Sequence, residues 1–191
     1  LDVHRATASE VFNVPLDGVS SEQRRYAKTI NFGLIYGMGA FGLSQSLGIE
    51  QKAAKDYIER YFARFAGVKR YMDETKASAA QKGYVETYFG RRIYLPEIKG
   101  GSGPRRAGAE RQAINAPMQG TAADLSKLAM IAVQGALDRE RKATKVIMQV
   151  HDELVFELPE GEVDWIKREI PRLMAGIAEL KVPLLAEVGV G

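Results

Sequence analysis

The sequence predicts an α+β fold, with a mostly helical first half and a second half that adds antiparallel strands. Three observations predict it. Apolar residues recur at helical spacing through the first eighty positions, where Ala54, Tyr57, Ile58, Tyr61, Phe62 and Phe65 share one face. From Tyr84 the pattern changes to short β-branched and aromatic runs bounded by Gly and Pro. Two apolar runs, 145–150 and 154–158, then flank a tight turn.

The elements follow in order. Residues 2–12 form a short helical candidate. Ser20-Ser21-Glu22-Gln23 has the pattern of a capping box, with Ser20 as the cap and Gln23 three residues on. A helix over 21–36 follows, ended by Gly37 and Gly39. Helices are expected over 50–65 and from Val68 to about Gln81. Tyr84–Phe89 reads as a strand, Gly90-Arg91-Arg92 as a turn, and Ile93-Tyr94-Leu95 as a return strand stopped by Pro96. Residues 100–104 read as a loop and 105–115 as a helix. Pro117 then starts or kinks a further helix to about Arg139. After the 145–158 hairpin, Val163, Ile166, Ile170, Leu173, Met174 and Ile177 predict a helix over 162–178, kinked at Pro171, and 184–190 reads as a final strand. There is no internal repeat.

Composition narrows the function classes. The chain has 191 residues, 46% of them hydrophobic and 27% charged, which suits a globular unit with a real core. A net charge of +3 is compatible with nucleic acid and equally with many other soluble proteins. With no Cys, a disulfide scaffold, a thiolate zinc site and a Cys nucleophile are excluded. No apolar run approaches the length of a membrane span, so no membrane partner is expected. The first residues carry no signal-peptide pattern, and the absence of an initial Met suggests a piece of a longer chain.

Two segments carry chemistry. Arg24, Lys28, Phe32 and Tyr36 recur every fourth residue. At roughly 100° per residue each step drifts by only about 40°, so they share one broad side of a helix. Ala27, Ile30 and Leu34 fall on the other side. Two cations, an aromatic face and a phenol match a nucleoside triphosphate from its phosphates to its base. The same spacing also suits a surface helix with solvated cations and rings turned to a core. In the second segment, His151-Asp152-Glu153 joins two apolar strands without the Gly that a two-residue hairpin favours. Its adjacent carboxylates repel each other, and hard oxygen donors suit Mg²⁺. Asp is also common in turns.

The residues from Arg24 to Gly37 resemble motif B of the family A DNA polymerases, and Gln149-Val150-His151-Asp152-Glu153-Leu154-Val155 resembles their motif C. The segment Glu110–Leu125 and Gly90-Arg91-Arg92 are similar to further parts of the same family, in the same order along the chain. The resemblance implies a fragment of a right-hand polymerase fold. Residues 1–82 would be fingers, with a nucleotide-binding helix over 21–36, and 83–191 the C-terminal part of an antiparallel-sheet palm. It implies that Arg24, Lys28, Phe32, Tyr36 and His4 bind the dNTP, with Lys28 the acid for the pyrophosphate leaving group. Asp152 and Glu153 would hold metal, two Mg²⁺ ions serving the complete enzyme, and Asp152, Glu153 and Lys28 would be the catalytic residues. Arg91, Arg92, Arg111, Asn115, Gln119 and His151 would contact primer–template DNA. A monomer in a bacterial cytoplasm is the corresponding expectation.

The family also uses an aspartate on a second strand, in a segment of the form Asp-Tyr-Ser-x-Ile-Glu-Leu-Arg, and nothing in this sequence matches it. The chain is therefore expected to need a preceding part of the polymerase domain and to have little or no activity alone. The alternatives are a non-catalytic nucleic-acid-binding module of the same fold and a dinucleotide-binding enzyme. The second rests only on Gly37-Met38-Gly39-Ala40-Phe41-Gly42, a lone G-x-G-x-x-G match better explained as a helix end.

Overall fold

A computed structural model describes residues 2–191. Eight helices and four strands run in the order α1 (Val3–Phe12), α2 (Ser21–Ile35), α3 (Ala40–Leu47), α4 (Gln51–Arg64), α5 (Ala66–Lys82), β1 (Tyr84–Glu86), β2 (Arg92–Tyr94), α6 (Glu97–Gly100), α7 (Gly103–Arg139), β3 (Lys145–Val150), β4 (Glu153–Glu157) and α8 (Val163–Ala175). Each sheet among the described residues is a single antiparallel pair, β1 with β2 and β3 with β4. The fold class is α+β, as expected.

By contacts the chain falls into two units, residues 1–86 with 92–117, and residues 87–91 with 118–191. In the first unit α2 buries Ala27, Ile30 and Leu34, the three apolar positions opposite its charged stripe. Ile30 and Leu34 join Leu43, Ala54 and Tyr61 in one cluster, and Ala27 joins Ala8 and Val19 in another. A third cluster gathers Ala79, Val85, Leu95, Ile98, Ala109 and Ala113 around the β1–β2 pair. In the second unit Val133 and Leu137 of α7 meet Ile166 and Ile170 of α8, with Val146, Leu154 and Phe156 of the hairpin packed on them.

Local chemistry sets the ends of α2. Ser20 accepts from the Gln23 backbone N–H at 3.2 Å, and Gln23 Oε1 accepts from the Ser20 N–H at 2.9 Å, so the expected capping box is closed. At the other end Gly37 takes a φ of 85°. A Cβ there would also lie 3.2 Å from Arg111 Cγ, so this turn needs Gly on two counts. Gly39, expected as part of the stop, also stands at the N-cap of α3, a helix that no sequence expectation included.

Five expectations are corrected. Thr87-Tyr88-Phe89 is turn and not strand. The Thr87 N–H donates to Arg91 O at 2.9 Å and the Gly90 N–H to Thr87 O at 3.0 Å, which closes the chain before the ladder can extend. The expected loop 100–104 instead holds the last residue of the short α6 and the start of α7. α7 runs unbroken from Gly103 through Pro117, because a helix anchored by buried residues on both sides tolerates one missing N–H. Residues 184–190 form no strand, since no neighbouring strand pairs their N–H and C=O groups. α8 ends at Ala175, leaving Ile177 outside it, and continues through Pro171. No helix among the described residues is long and apolar enough to cross a membrane.

α5 stops at Gly83, whose φ is 86° and whose N–H donates to Ala79 O at 2.8 Å. The Gly83 carbonyl in turn accepts from the Leu95 N–H at 2.8 Å, tying the helix end to β2. Gly83→Ala forces a side chain into left-handed backbone and should lower stability by about 1 kcal/mol. A drop in the urea midpoint at constant slope would show it; an unchanged midpoint would mean that the α5–β1 turn relaxes freely.

Candidate functional site

The two segments singled out by chemistry lie in different units, so each is described by itself. On α2 the exposed side carries Arg24, Lys28, Phe32 and Tyr36 in a row. Phe32 and Tyr36 are each 40% exposed. Their centroids lie 5.9 Å apart, and His4 of α1 continues the row 5.8 Å beyond Phe32. Lys28 Nζ sits 5.8 Å from the Phe32 centroid. The row runs from cations to rings in the order the sequence predicts, and His4 joins it from a second helix.

Arg24 is not free. Its Nε donates to Asp2 Oδ2 at 2.7 Å, while Asp2 Oδ1 caps α1 by accepting from the His4 and Arg5 N–H groups at 3.1 Å each. The Arg24 hydrogen bond, and after it the Arg5 backbone N–H, pull the Asp2 carboxyl down from 3.8 to about 2. Asp2 was missed by the sequence reading as a partner of the stripe. No local pattern joins residues 22 positions apart.

Arg111 and Asn115 belong to the same unit as α2. Arg111 is exposed, and its stem crosses the backbone at Gly37. Asn115 Oδ1 is buried and has no hydrogen-bond partner. Arg92 donates to Glu86 Oε1 at 3.1 Å and lies 4.6 Å from the centroid of Tyr84, so its charge is already shared.

In the second unit β3 and β4 pair with Val150 opposite Glu153, which leaves His151-Asp152 as a two-residue turn. His151 takes a φ of 54°, a left-handed conformation without Gly. Gln149 Nε2 donates to the His151 carbonyl at 3.0 Å and steadies the turn. His151, Asp152 and Glu153 are all exposed. The two carboxylates are hard oxygen donors at an open tip, a partial donor set of the sort Mg²⁺ accepts alongside water and phosphate oxygens. No cluster of three His, Asp or Glu side chains able to hold a metal occurs among the described residues.

Gln119 is exposed on α7. Arg91 is held by Asp124 at 2.8 Å and by the Gly120 carbonyl at 3.0 Å. The Thr87 hydroxyl, then Arg91, hold the Asp124 carboxyl below its usual range. Asp124 was not among the expected site residues, because nothing in the sequence pairs it with a residue 33 positions earlier. A cavity of about 620 Å³ between α1, α2 and α4, lined by Phe12, Tyr26, Leu47 and Tyr57 among others, includes none of the candidate residues.

The model for DNA polymerase family A matches residues 1–191. The chain is 60% identical over its whole length to 21% of the DNA polymerase I of Pseudomonas aeruginosa, and 50% identical to 20% of that of Chloroflexus aurantiacus. It is similar, with a TM-score of 0.88 and 43% identity, to the POL domain of Pol1 from M. smegmatis in complex with DNA primer-template and dNTP. That likeness covers 95% of this chain and 32% of the other. The chain thus spans about a fifth of the length of the curated relatives it matches.

The Asp2–Arg24 pair has a pH signature. A carboxylate whose pKa is depressed on folding stabilises the fold above its unfolded value and loses that contribution as pH falls through the folded one. Asp2→Asn keeps an acceptor for the α1 cap but ends the ion pair. Urea midpoints of the two proteins should differ at neutral pH, by little because the pair is exposed. They should converge as pH falls from 3.8 toward about 2. A gap that does not change with pH would assign the loss to the cap instead.

Proposed function

Because this chain belongs to DNA polymerase family A, whose model matches all of it, we propose that it forms the nucleotide-binding and part of the metal-binding machinery of a DNA-directed DNA polymerase. The observation that carries this reading is the exposed row Arg24–Lys28–Phe32–Tyr36 on α2, opposed by a fully buried apolar face.

Each residue has a chemical part in the proposed reaction. Arg24 and Lys28 hold the triphosphate by charge-assisted hydrogen bonds. Phe32 offers its face to the sugar and base, and Tyr36 lines the templating position. A primer 3′-hydroxyl attacks the α-phosphorus, an O–P bond forms, and the bond to the β-phosphate oxygen breaks. Lys28 donates its proton to the departing pyrophosphate. Asp152 and Glu153 would supply carboxylate oxygens to Mg²⁺, which when bound lowers the pKa of the attacking hydroxyl and neutralises the leaving group. Arg111, Asn115, Gln119 and His151 are proposed to touch the primer–template. Arg91 and Arg92 reach phosphate only by sharing or exchanging their present carboxylate partners, Asp124 and Glu86. Residues 1–82 correspond in this reading to fingers and 83–191 to palm. The partners are primer–template DNA, dNTPs and a preceding part of the polymerase domain, in a monomer.

The lack of a three-donor metal cluster among the described residues favours one refinement: the 191 residues need a further carboxylate from elsewhere in the polymerase. Primer extension with Mg²⁺ and dNTPs tests both points. The 191-residue chain alone should extend no primer, and the chain lengthened upstream through the family's second aspartate should. In the longer protein Lys28→Ala should slow extension by about 10²- to 10⁴-fold, the range for losing a general acid. Asp152→Ala should cost several kcal/mol of transition-state stabilisation, about 10³-fold or more. Extension by the short chain would refute the need for another carboxylate, and full activity of Asp152→Ala would refute the metal role.

A further inference from the structure

Behind the row on α2 lies a short chain of buried polar groups. Asn31 is 1% exposed and Thr7 3%. Thr7 Oγ1 donates to Asn31 Oδ1 at 3.0 Å, and Asn31 Nδ2 lies 3.0 Å from His4 Nδ1. Thr7 and His4 are three residues apart on α1 and so share a face, while Asn31 reaches them from α2. Buried polar groups are expensive when unpaired, so a chain of this kind tends to be satisfied in one direction.

The direction can be derived. The Thr7 hydroxyl hydrogen needs an acceptor and has Asn31 Oδ1. That turns the amide nitrogen of Asn31 toward the His4 ring. An amide NH₂ offers hydrogens and no lone pair, so His4 Nδ1 must be the acceptor. A neutral imidazole with a bare Nδ1 carries its hydrogen on Nε2. The His4 ring meanwhile lies beside Phe32 on the exposed row.

We propose that Thr7 and Asn31 are positioning residues that lock His4 as the Nε2–H tautomer, so that it presents a hydrogen-bond donor to an anionic oxygen of the bound nucleotide. This rests on α2 being the nucleotide-binding helix. The opposite tautomer would aim a lone pair at the same oxygen and repel it.

The chain has two histidines, His4 and His151, so ¹⁵N-labelled histidine gives a spectrum with one site of interest and one internal reference. His4 should show a protonated Nε2 and a bare Nδ1 at pH values where it is neutral. Asn31→Asp sets a carboxylate oxygen against Nδ1 and should move the hydrogen there. Thr7→Val, nearly the same shape, frees the amide to turn and should give a mixture of tautomers. Titration with dATP and Mg²⁺ in the same sample should shift His4 in the unsubstituted chain. The dissociation constant should rise in Thr7→Val by the inverse of the fraction left as the Nε2–H tautomer, about twofold for an even mixture. If His4 has its hydrogen on Nδ1, or keeps the same tautomer in both variants, the relay is wrong whatever dATP does. If the variants change the tautomer but dATP does not move His4, the nucleotide-binding reading fails instead.

Discussion

The structure of the first unit depends on one constraint, the period of α2. From Ser21 to its C-cap Tyr36 the helix must bury Ala27, Ile30, Asn31 and Leu34 and turn Arg24, Lys28, Phe32 and Tyr36 outward. A repeat of four drifts slowly enough around the helix to keep the second set on one side. Burial of the first set then fixes the rotation of the helix, and rotation decides what faces outward. Ile30 and Leu34 do this against α3 and α4, and Ala27 against α1. The small side chain of Ala27 lets α1 come close, and close approach is what brings His4 and Asp2 to the row. A functional surface is thus positioned mainly by side chains that never meet a ligand.

Charge is handled differently from apolar surface. Arg24, Arg91 and Arg92 each rest on a carboxylate, respectively Asp2, Asp124 and Glu86, while Lys28 has a ring beside it and no carboxylate partner. Exposed pairs such as these contribute little to stability. Their effect is to restrict long side chains that would otherwise sample many rotamers. In the proposed reading an incoming phosphate would meet a guanidinium already oriented but partly neutralised, so binding there would exchange one anion for another. An unpaired Lys28 meets no such competitor, which suits a group that is also proposed to give up its proton.

What the sequence made legible was local. The capping box, the four-residue stripe and the carboxylate turn are each written in a short stretch of chain, and each sits where expected except that Glu153 begins β4 and leaves a two-residue turn. The contacts that were missed join distant positions: Asp2 with Arg24, Thr7 with Asn31, Arg91 with Asp124. No periodicity encodes such pairs, because each depends on two elements meeting. The misread elements fail for related reasons. Residues 184–190 have the β-branched alternation of a strand, but a strand is a property of two segments and this one has no neighbour among the described residues. Pro117 was weighed as a local breaker, yet Ala113 and Ile114 before it and Ala129 and Val133 after it are buried and hold the helix to one course.

The hairpin tip shows the same opposition of local preference and use in its sharpest form. A two-residue turn between twisted strands favours Gly or Asn at left-handed φ, and here His151 occupies that conformation. For a residue with a Cβ this costs about 1–2 kcal/mol. Asp152 and Glu153 add repulsion between neighbouring carboxylates. The strands offset this with Leu154 and Phe156 packed on the core formed by α7 and α8, and Gln149 ties down the His151 carbonyl. The exposed tip thus carries a left-handed imidazole and two acids on a hairpin anchored by its strands, a scaffold that would suit the cation and phosphate contacts proposed for it.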